Sequence, residues 1–432
     1  MIEQNHNLLE RCEMEREKPT LFLDRIRGVL AAVSLENPIY KAFLQTHPCP
    51  DLWLGQYIQQ CLAKPLFGVT LAVKASMKAE GFAWDGGFKP ALAPLCSEDA
   101  ALVDRFRRYG AFVLGVTNLD EACLHAVGEN KTHGRMRNAL DVERTPLGSS
   151  GGSAVAVAKG WADIGLGTDS GGSVRAPAAA CGLSSIVAGI ECLPTQGSFV
   201  PGGAIDLAGV MTRNLSDLQF VLNLMEKTTG NINSDTGLHA LLIPLPGDLS
   251  ALCAEWREFF SRAVAKLAKN YLVQEHPLPF EEAAQARKVI ITVAALRHFE
   301  RERIPTQGLS LVSKAVLEFG KRVTPTAMQS AFRVQALIKE RMRVLISNGT
   351  FLLAPALSSP APLWKDVERD AAGCLGNIGY FLPLVNVAGL CAVSFPLRNS
   401  SRPIPLALQL IGKAGEESKI LKAASALERE LN

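Results

Sequence analysis

Two Ser/Gly turns constrain this chain more than any other feature in it. Gly148-Ser149-Ser150-Gly151-Gly152-Ser153 opens a run of Ala and Val. Thr168-Asp169-Ser170-Gly171-Gly172-Ser173 opens a second, Ala-rich run, and the apolar stretch Ile164 to Gly167 lies between them. Each turn reads as the start of a small-residue helix, and the stretch between as a short strand. Helices of Gly, Ala and Ser let backbones approach closely, and glycines in the first turn expose a cradle of free N–H groups. The fold must therefore hold two tight strand–helix junctions side by side.

The flanking sequence fits such a framework. Leu66 to Lys74 is a β-rich run that ends on a lysine. Ser97-Glu98-Asp99 caps a helix running to about Arg108, Gly110 ends it, and Phe112 to Val116 is a short apolar strand. Strand, helix, strand in that order implies a parallel α/β sheet. Further on come a helix Ser216 to Lys227, a strand near Leu241, a helix Leu249 to Ala268 and a strand near Leu272. A helical middle runs from Glu281 to about Ile346. Strands Thr350 to Ala354, Cys391 to Pro396 and Leu406 to Ile411 and a helix from Glu416 follow. The first 60 residues read as helical, with an amphipathic pattern over Leu21 to Val33. No linker is rich enough in Pro, Gly or Ser to divide the chain. The expectation is one domain, with residues 1–60 packed as a helical segment on a core of 61–432.

Composition removes several functional classes. Lys plus Arg (45) nearly balances Asp plus Glu (42), so no clustered basic excess points to nucleic acid or an anionic membrane. Arg105, Arg107 and Arg108 read as the solvated face of one helix. Met1 to Lys18 is rich in Glu and Arg and lacks the apolar core of a signal peptide. Leu382 to Leu397 is interrupted by Pro383, Asn386, Ser394 and Pro396, which makes it core material rather than a membrane span. The ten Cys contain no C-x-x-C pair and the seven His are dispersed, without H-E-x-x-H. Buried thiols in a reducing cytoplasm follow, with no metal and no organic cofactor.

The Ser/Gly block admits a phosphate cradle, but neither G-x-x-x-x-G-K-[ST] nor a post-strand G-x-G-x-x-G is present. Asp169-Ser170-Gly171-Gly172 matches the nucleophile turn of trypsin-like proteases, which would nominate Ser170. That reading needs an all-β double barrel and an upstream His in its own motif, and this chain offers neither. A third reading uses the whole constellation: Lys74 ending a strand, Ser149 in G-S-S-G-G-S, and Ser173 in G-T-D-S-G-G-S-V-R. It closely resembles the amidase signature family. The likeness extends through Gly115 to Glu121, Asn138, Arg144 to Ser153, Leu166 to Gly182, Asn386 to Leu390 and Pro405 to Gly412.

That resemblance implies an α/β amidase signature fold, a central mixed β-sheet with helices on both faces. It implies Ser173 as nucleophile, Ser149 as proton relay behind a cis peptide with Gly148, and Lys74 as general base in its neutral form. Burial disfavours the charged form of a lysine, as that role requires. The backbone N–H groups of Ser170, Gly171, Gly172 and Ser173 would make the oxyanion hole, with Ser150, Asp169 and Arg175 in support. For Arg175 an ion pair with Asp169 or Glu121 competes with substrate contact. Cys181 reads as a small core residue, and Trp84 as either pocket lining or core cap. Departures from the family pattern lie in the loops, as in Ala75-Ser76 after the lysine and Leu147 before G-S-S-G-G. The expected activity is hydrolysis of a small, linear carboxylic amide by a cytoplasmic enzyme. The partners it allows are a second copy in a homodimer or a small accessory subunit. Alternatives are the glutamine-hydrolysing A-type subunit of a tRNA-dependent amidotransferase, or a non-catalytic binding or assembly protein on the same scaffold.

Overall fold

Strands covered on both faces need continuous apolar or small-residue runs rather than alternation, and the central strands here have them. The structure, a computed structural model, describes residues 7–49, 51–88, 92, 94–226, 237–347, 349–397 and 404–432. In chain order the strands are β1 (Phe43–Thr46), β2 (Thr70–Lys74), β3 (Phe112–Thr117), β4 (Glu129–Asn130), β5 (Gly134–Arg135), β6 (Ile164–Asp169) and β7 (Ser184–Ala188). They continue as β8 (Leu207–Thr212), β9 (Ala240–Pro244), β10 (Leu272–His276), β11 (Thr350–Pro355), β12 (Leu390–Pro396) and β13 (Ala407–Lys413). All but β4 and β5 form one 11-stranded mixed sheet flanked by helices, in the order β1-β3-β2-β6-β8-β7-β12-β13-β11-β9-β10. Strands β3, β2 and β6 run parallel at one end, and β11, β9 and β10 at the other. The antiparallel strands β8, β7, β12 and β13 join the two ends. Every residue of β2, β3 and β6 is buried.

The two small-residue helices form where the Ser/Gly turns placed them, at Gly151–Ala158 and Arg175–Ala180. The first lies so close to its neighbours that a Cβ on Gly152 would sit 2.4 Å from the Asn118 carbonyl oxygen and 2.5 Å from that of Ala42. The N-terminal helices Leu8–Glu17 and Pro19–Tyr40 are tied to the loop before β6, where Arg11 Nη1 meets Asp163 Oδ1 at 2.6 Å.

Other expectations shift. Asp99 does not cap the helix Ala101–Arg108: Ala100 stands at the N-cap, while Asp99 accepts from the Glu80 amide and pairs with Arg107. The run from Leu66 becomes a strand only at Thr70, and the helix expected from Leu249 begins at Ala254 after a short 3-10 turn. The helical middle divides into Phe280–Arg301, Leu311–Arg322 and Pro325–Leu345, because Ser310 and Thr324 each cap a new start. The helix Leu215–Glu226 matches its expected start, and Lys227 lies outside the described residues. Strands β1, β7 and β8 add to those expected from the sequence. No helix among the described residues is long and apolar enough to cross a membrane.

The Gly152 approach gives a direct test of packing. Gly152→Ala places a methyl against two backbone carbonyls that cannot swing away, so it lowers the unfolding free energy in urea by about 1–3 kcal/mol. Gly28→Ala, where a Cβ meets nothing within 4 Å, has no such cost in the same titration.

Candidate active site

Parallel pairing of β2 with β6 sets Val73 opposite Leu166, so Lys74 leaves the sheet beside the C-terminal end of β6. Loops at the C-terminal ends of parallel strands are where α/β sheets place their ligands. Lys74 is fully buried, and its Nζ lies 2.8 Å from Ser149 Oγ, 2.9 Å from Thr168 Oγ1 and 3.3 Å from the Thr168 carbonyl oxygen. All of these partners are uncharged oxygens. Ser149 is fully buried too, and the Gly148–Ser149 peptide is cis. A Cβ on Gly148 would fall 1.7 Å from Asp120 Oδ2, which is why this position has none. Asp120 in turn takes the amides of Val127 and Gly128 at 2.9 Å and the His125 ring at 2.6 Å, and its own amide donates to the Ser149 carbonyl.

Ser173 closes the second turn at 8% exposure, and its carbonyl accepts from the Ser150 amide at 3.0 Å, which joins the two turns. The Ser150 hydroxyl faces the Thr168 carbonyl at 3.5 Å. No hydrogen bond joins Ser173 Oγ to Ser149 Oγ among the described residues, so the two serines are neighbours through backbone rather than through their hydroxyls.

Asp169 and Arg175 shape the loop between them. Asp169 Oδ1 accepts from the amides of Gly171 (3.2 Å) and Gly172 (2.7 Å), and Oδ2 from those of Val174 (3.0 Å) and Arg175 (3.3 Å). Two of the four amides expected to face an oxyanion are thus directed at Asp169, while those of Ser170 and Ser173 have no internal acceptor among the described residues. Arg175 is fully buried and pairs with Asp169 at 3.0 Å. It also donates to Asn386 Oδ1 (2.8 Å), Gln409 Oε1 (3.0 Å) and the Leu382 carbonyl (3.0 Å). Every guanidinium nitrogen is therefore occupied, which decides for the ion pair and against substrate contact. Glu121, the other candidate partner, accepts instead from Ser310. Burial works against ionisation of Asp169, yet Arg175 and the loop amides outweigh it and hold the carboxyl well below the usual carboxylate range.

Several participants carry no motif of their own. Thr168 stands next to Asp169 in the block, but its contact with Lys74 follows only from the strand register. Asn386 lies in the matched C-terminal segment, and its side chain donates to the carbonyls of Asp169 (2.6 Å) and Ile205 (3.1 Å). Asp206 accepts from the Gly202 amide at 2.7 Å and lies beside Ser170, and burial pushes its carboxyl up to about 6. Arg287, on the helix Phe280–Arg301, donates from Nε to the Ser170 carbonyl at 2.7 Å. Cys181 is a buried core residue whose thiol burial pushes up to about 12. Trp84 is half-buried, donates to the Ser76 carbonyl at 3.0 Å, and packs against a side cluster with Phe88 and Phe199.

The family model described as Amidase matches residues 29–242 and 245–421. The chain belongs to the amidase family. Among this amidase's curated relatives, the A-type subunit of glutamyl-tRNA(Gln) amidotransferase from Treponema pallidum is 29% identical over 420 residues, covering 84% of this chain and 82% of its own. The protein of the same name from Aliarcobacter butzleri is 25% identical over 426 residues, covering 88% and 93%. A crystal structure described as that of an amidase superimposes with a TM-score of 0.88 at 25% identity, covering 99% of this chain and all of its own.

Removing the Asp169 counterion tests what holds the amidase loop. Arg175→Met leaves a carboxylate buried without its cation and lowers stability at pH 7 by about 3–5 kcal/mol. In the wild type the depressed carboxyl contributes stability above its ordinary 3.8, lost only as pH falls through the lower folded value. In the variant Asp169 is protonated readily, so its deficit narrows on acidification. Denaturant titrations at pH 7 and pH 4 measure both quantities, and a deficit independent of pH contradicts the account.

Proposed function

We propose that the protein hydrolyses a small carboxylic amide through an acyl-enzyme on Ser173. The observation that carries this reading is the contact between Lys74 Nζ and Ser149 Oγ at 2.8 Å, both fully buried beneath the loop of Ser173. An amide carbonyl is a poor electrophile, so its cleavage needs an activated nucleophile and donors for the tetrahedral oxyanion. In this reading Ser173 Oγ attacks the carbonyl carbon and passes its proton to Ser149 Oγ, while the Ser149 proton moves to neutral Lys74 Nζ. The alignment of the two hydroxyls completes itself when substrate binds, as catalytic hydrogen bonds commonly do. The oxyanion is received by the amides of Ser170 and Ser173, and by those of Gly171 and Gly172 if they turn from Asp169. Collapse breaks the C–N bond, the relay returns a proton to the leaving amine, and water releases the acyl group by the same path. Thr168 and Ser149 hold the amine of Lys74, and Asp169, Arg175 and Ser150 hold the loops.

A second reading draws support from the curated relatives. Their printed names make each the A-type component of an amidotransferase, so this protein would hydrolyse glutamine and deliver ammonia to partner subunits. A partner protein that co-purifies stably, with glutamine preferred over other amides, supports it. A cytoplasmic setting suits either activity.

Ammonia release from a panel of primary amides, glutamine included, tests the proposal. Ser173→Ala and Lys74→Met each lower kcat by at least about a thousandfold, with circular dichroism unchanged, whereas Ser170→Ala retains most activity. If Ser170→Ala is the dead variant and Ser173→Ala survives, the nucleophile is misassigned. A Lys74→Met enzyme with near wild-type turnover removes the lysine from the mechanism, and full-length protein that releases no ammonia from any amide favours the non-catalytic scaffold.

A further inference from the structure

We propose that Arg287 forms a carboxylate-recognising subsite beside the nucleophile loop, so that the preferred amides carry an anionic carboxylate on their acyl part. The inference rests on the hydrolase reading and names its substrate class. The helix Phe280–Arg301 crosses that loop and lays Arg287 along it, with Nε donating to the Ser170 carbonyl at 2.7 Å. A Cβ on Gly171 would fall 1.8 Å from Arg287 Nε and 2.7 Å from Cζ, so the guanidinium lies on the bare face of the residue next to Ser170. Arg287 is therefore fixed at the loop that ends in Ser173.

Its terminal nitrogens are the informative part. Arg175 on the same loop has every nitrogen matched to an acceptor. Among the described residues Arg287 has one hydrogen bond, through Nε, and no carboxylate within ion-pair distance. With Nε anchored, the Nη1–Nη2 edge is left for a planar bidentate partner, the geometry that a carboxylate matches. Surrounding charge does not satisfy it. Asp169 is already neutralised by Arg175 at 3.0 Å, and burial favours the neutral form of Asp206. Desolvation weighs against the Arg287 cation and lowers its pKa, with Asp169 and Asp206 opposing that shift and Arg175 adding to it. A desolvated cation without an anion is an expensive arrangement unless a ligand supplies the charge. A bound carboxylate would do so, and it would orient the amide carbonyl over Ser173 at the same time.

The test separates binding from turnover by using the Ser173→Ala protein and calorimetric titration with paired ligands. Malonamate, succinamate and glutaramate carry the carboxylate, and the neutral amides propionamide and butyramide do not. At least one anionic amide binds on the order of tenfold to a hundredfold tighter than its neutral counterpart, the range of a charge-assisted hydrogen-bonded pair. Adding Arg287→Gln erases that ratio, and Arg287→Lys restores part of it through charge alone. A merely structural prop for the Ser170 carbonyl would weaken anionic and neutral ligands equally and leave the ratio intact. That result overturns the proposal, as does equal binding of both classes to the parent protein. Ammonia release by the wild-type enzyme reads the other question. Carboxylate-selective binding with no release would sink the hydrolase reading and leave the subsite standing. Release without carboxylate preference would do the reverse.

Discussion

At the centre of the sheet lies a fully buried ion pair, Asp169 with Arg175, on which the geometry of the whole site depends. Isolated charges in such a place are costly, and a buried pair is tolerated only when its remaining lone pairs and protons are satisfied. Here they are: four loop amides converge on the two carboxylate oxygens, and Asn386, Gln409 and the Leu382 carbonyl take the rest of the guanidinium. The amides bend the chain from Thr168 to Ser173 into one shape, and the guanidinium ties that shape to β13 and to the helix Pro383–Ala388. Leu382 serves twice, since its side chain also closes over Gly172, where a Cβ would meet it at 2.4 Å and where φ is +118°. A side chain at Gly172 would therefore be strained by the backbone as well as by its neighbour.

Strand order supplies the other half. Because β2 and β6 run parallel and adjacent, their C-terminal ends deliver Lys74 and Thr168 to the same place. The helix that follows Ser150 must then approach β3 closely, and Gly152 permits it. The lysine is enclosed among hydroxyl and carbonyl oxygens rather than carboxylates, an environment in which a neutral amine is less disfavoured than it would be in water. Membership of the amidase family places this arrangement among proteins that share the fold, while the groups around the loop differ in ways that bear on what it accepts.

How much could be read in the sequence follows from the range of each interaction. The Ser/Gly turns, their helices and β6 are local, so residues 148–182 were legible almost residue by residue. Strands β9, β11, β12 and β13 were readable as apolar runs between turn signals. Strand β8 was not, since Leu207–Thr212 is interrupted by Gly209, whose bare Cα lets the Ile186 carbonyl approach. Strand β7 begins on two serines, and β1 is a four-residue edge, too short for any period to show. In the site, Asp169 was legible as a partner of Arg175, but Asn386 and Gln409 are joined to it from far along the chain. Arg287 and Asp206 sit in ordinary helix and loop sequence, and only the fold brings them to Ser170.

The central claim is that Ser173 becomes acylated by a relay that ends at Lys74. Acid quenching during turnover of an amide substrate, followed by digestion and mass mapping, tests it directly. The account predicts the acyl mass on the peptide that contains Ser173, localised there by fragmentation, and its loss in Lys74→Met. An adduct localised to Ser170 or Ser149, or one that forms undiminished without the lysine, would contradict it.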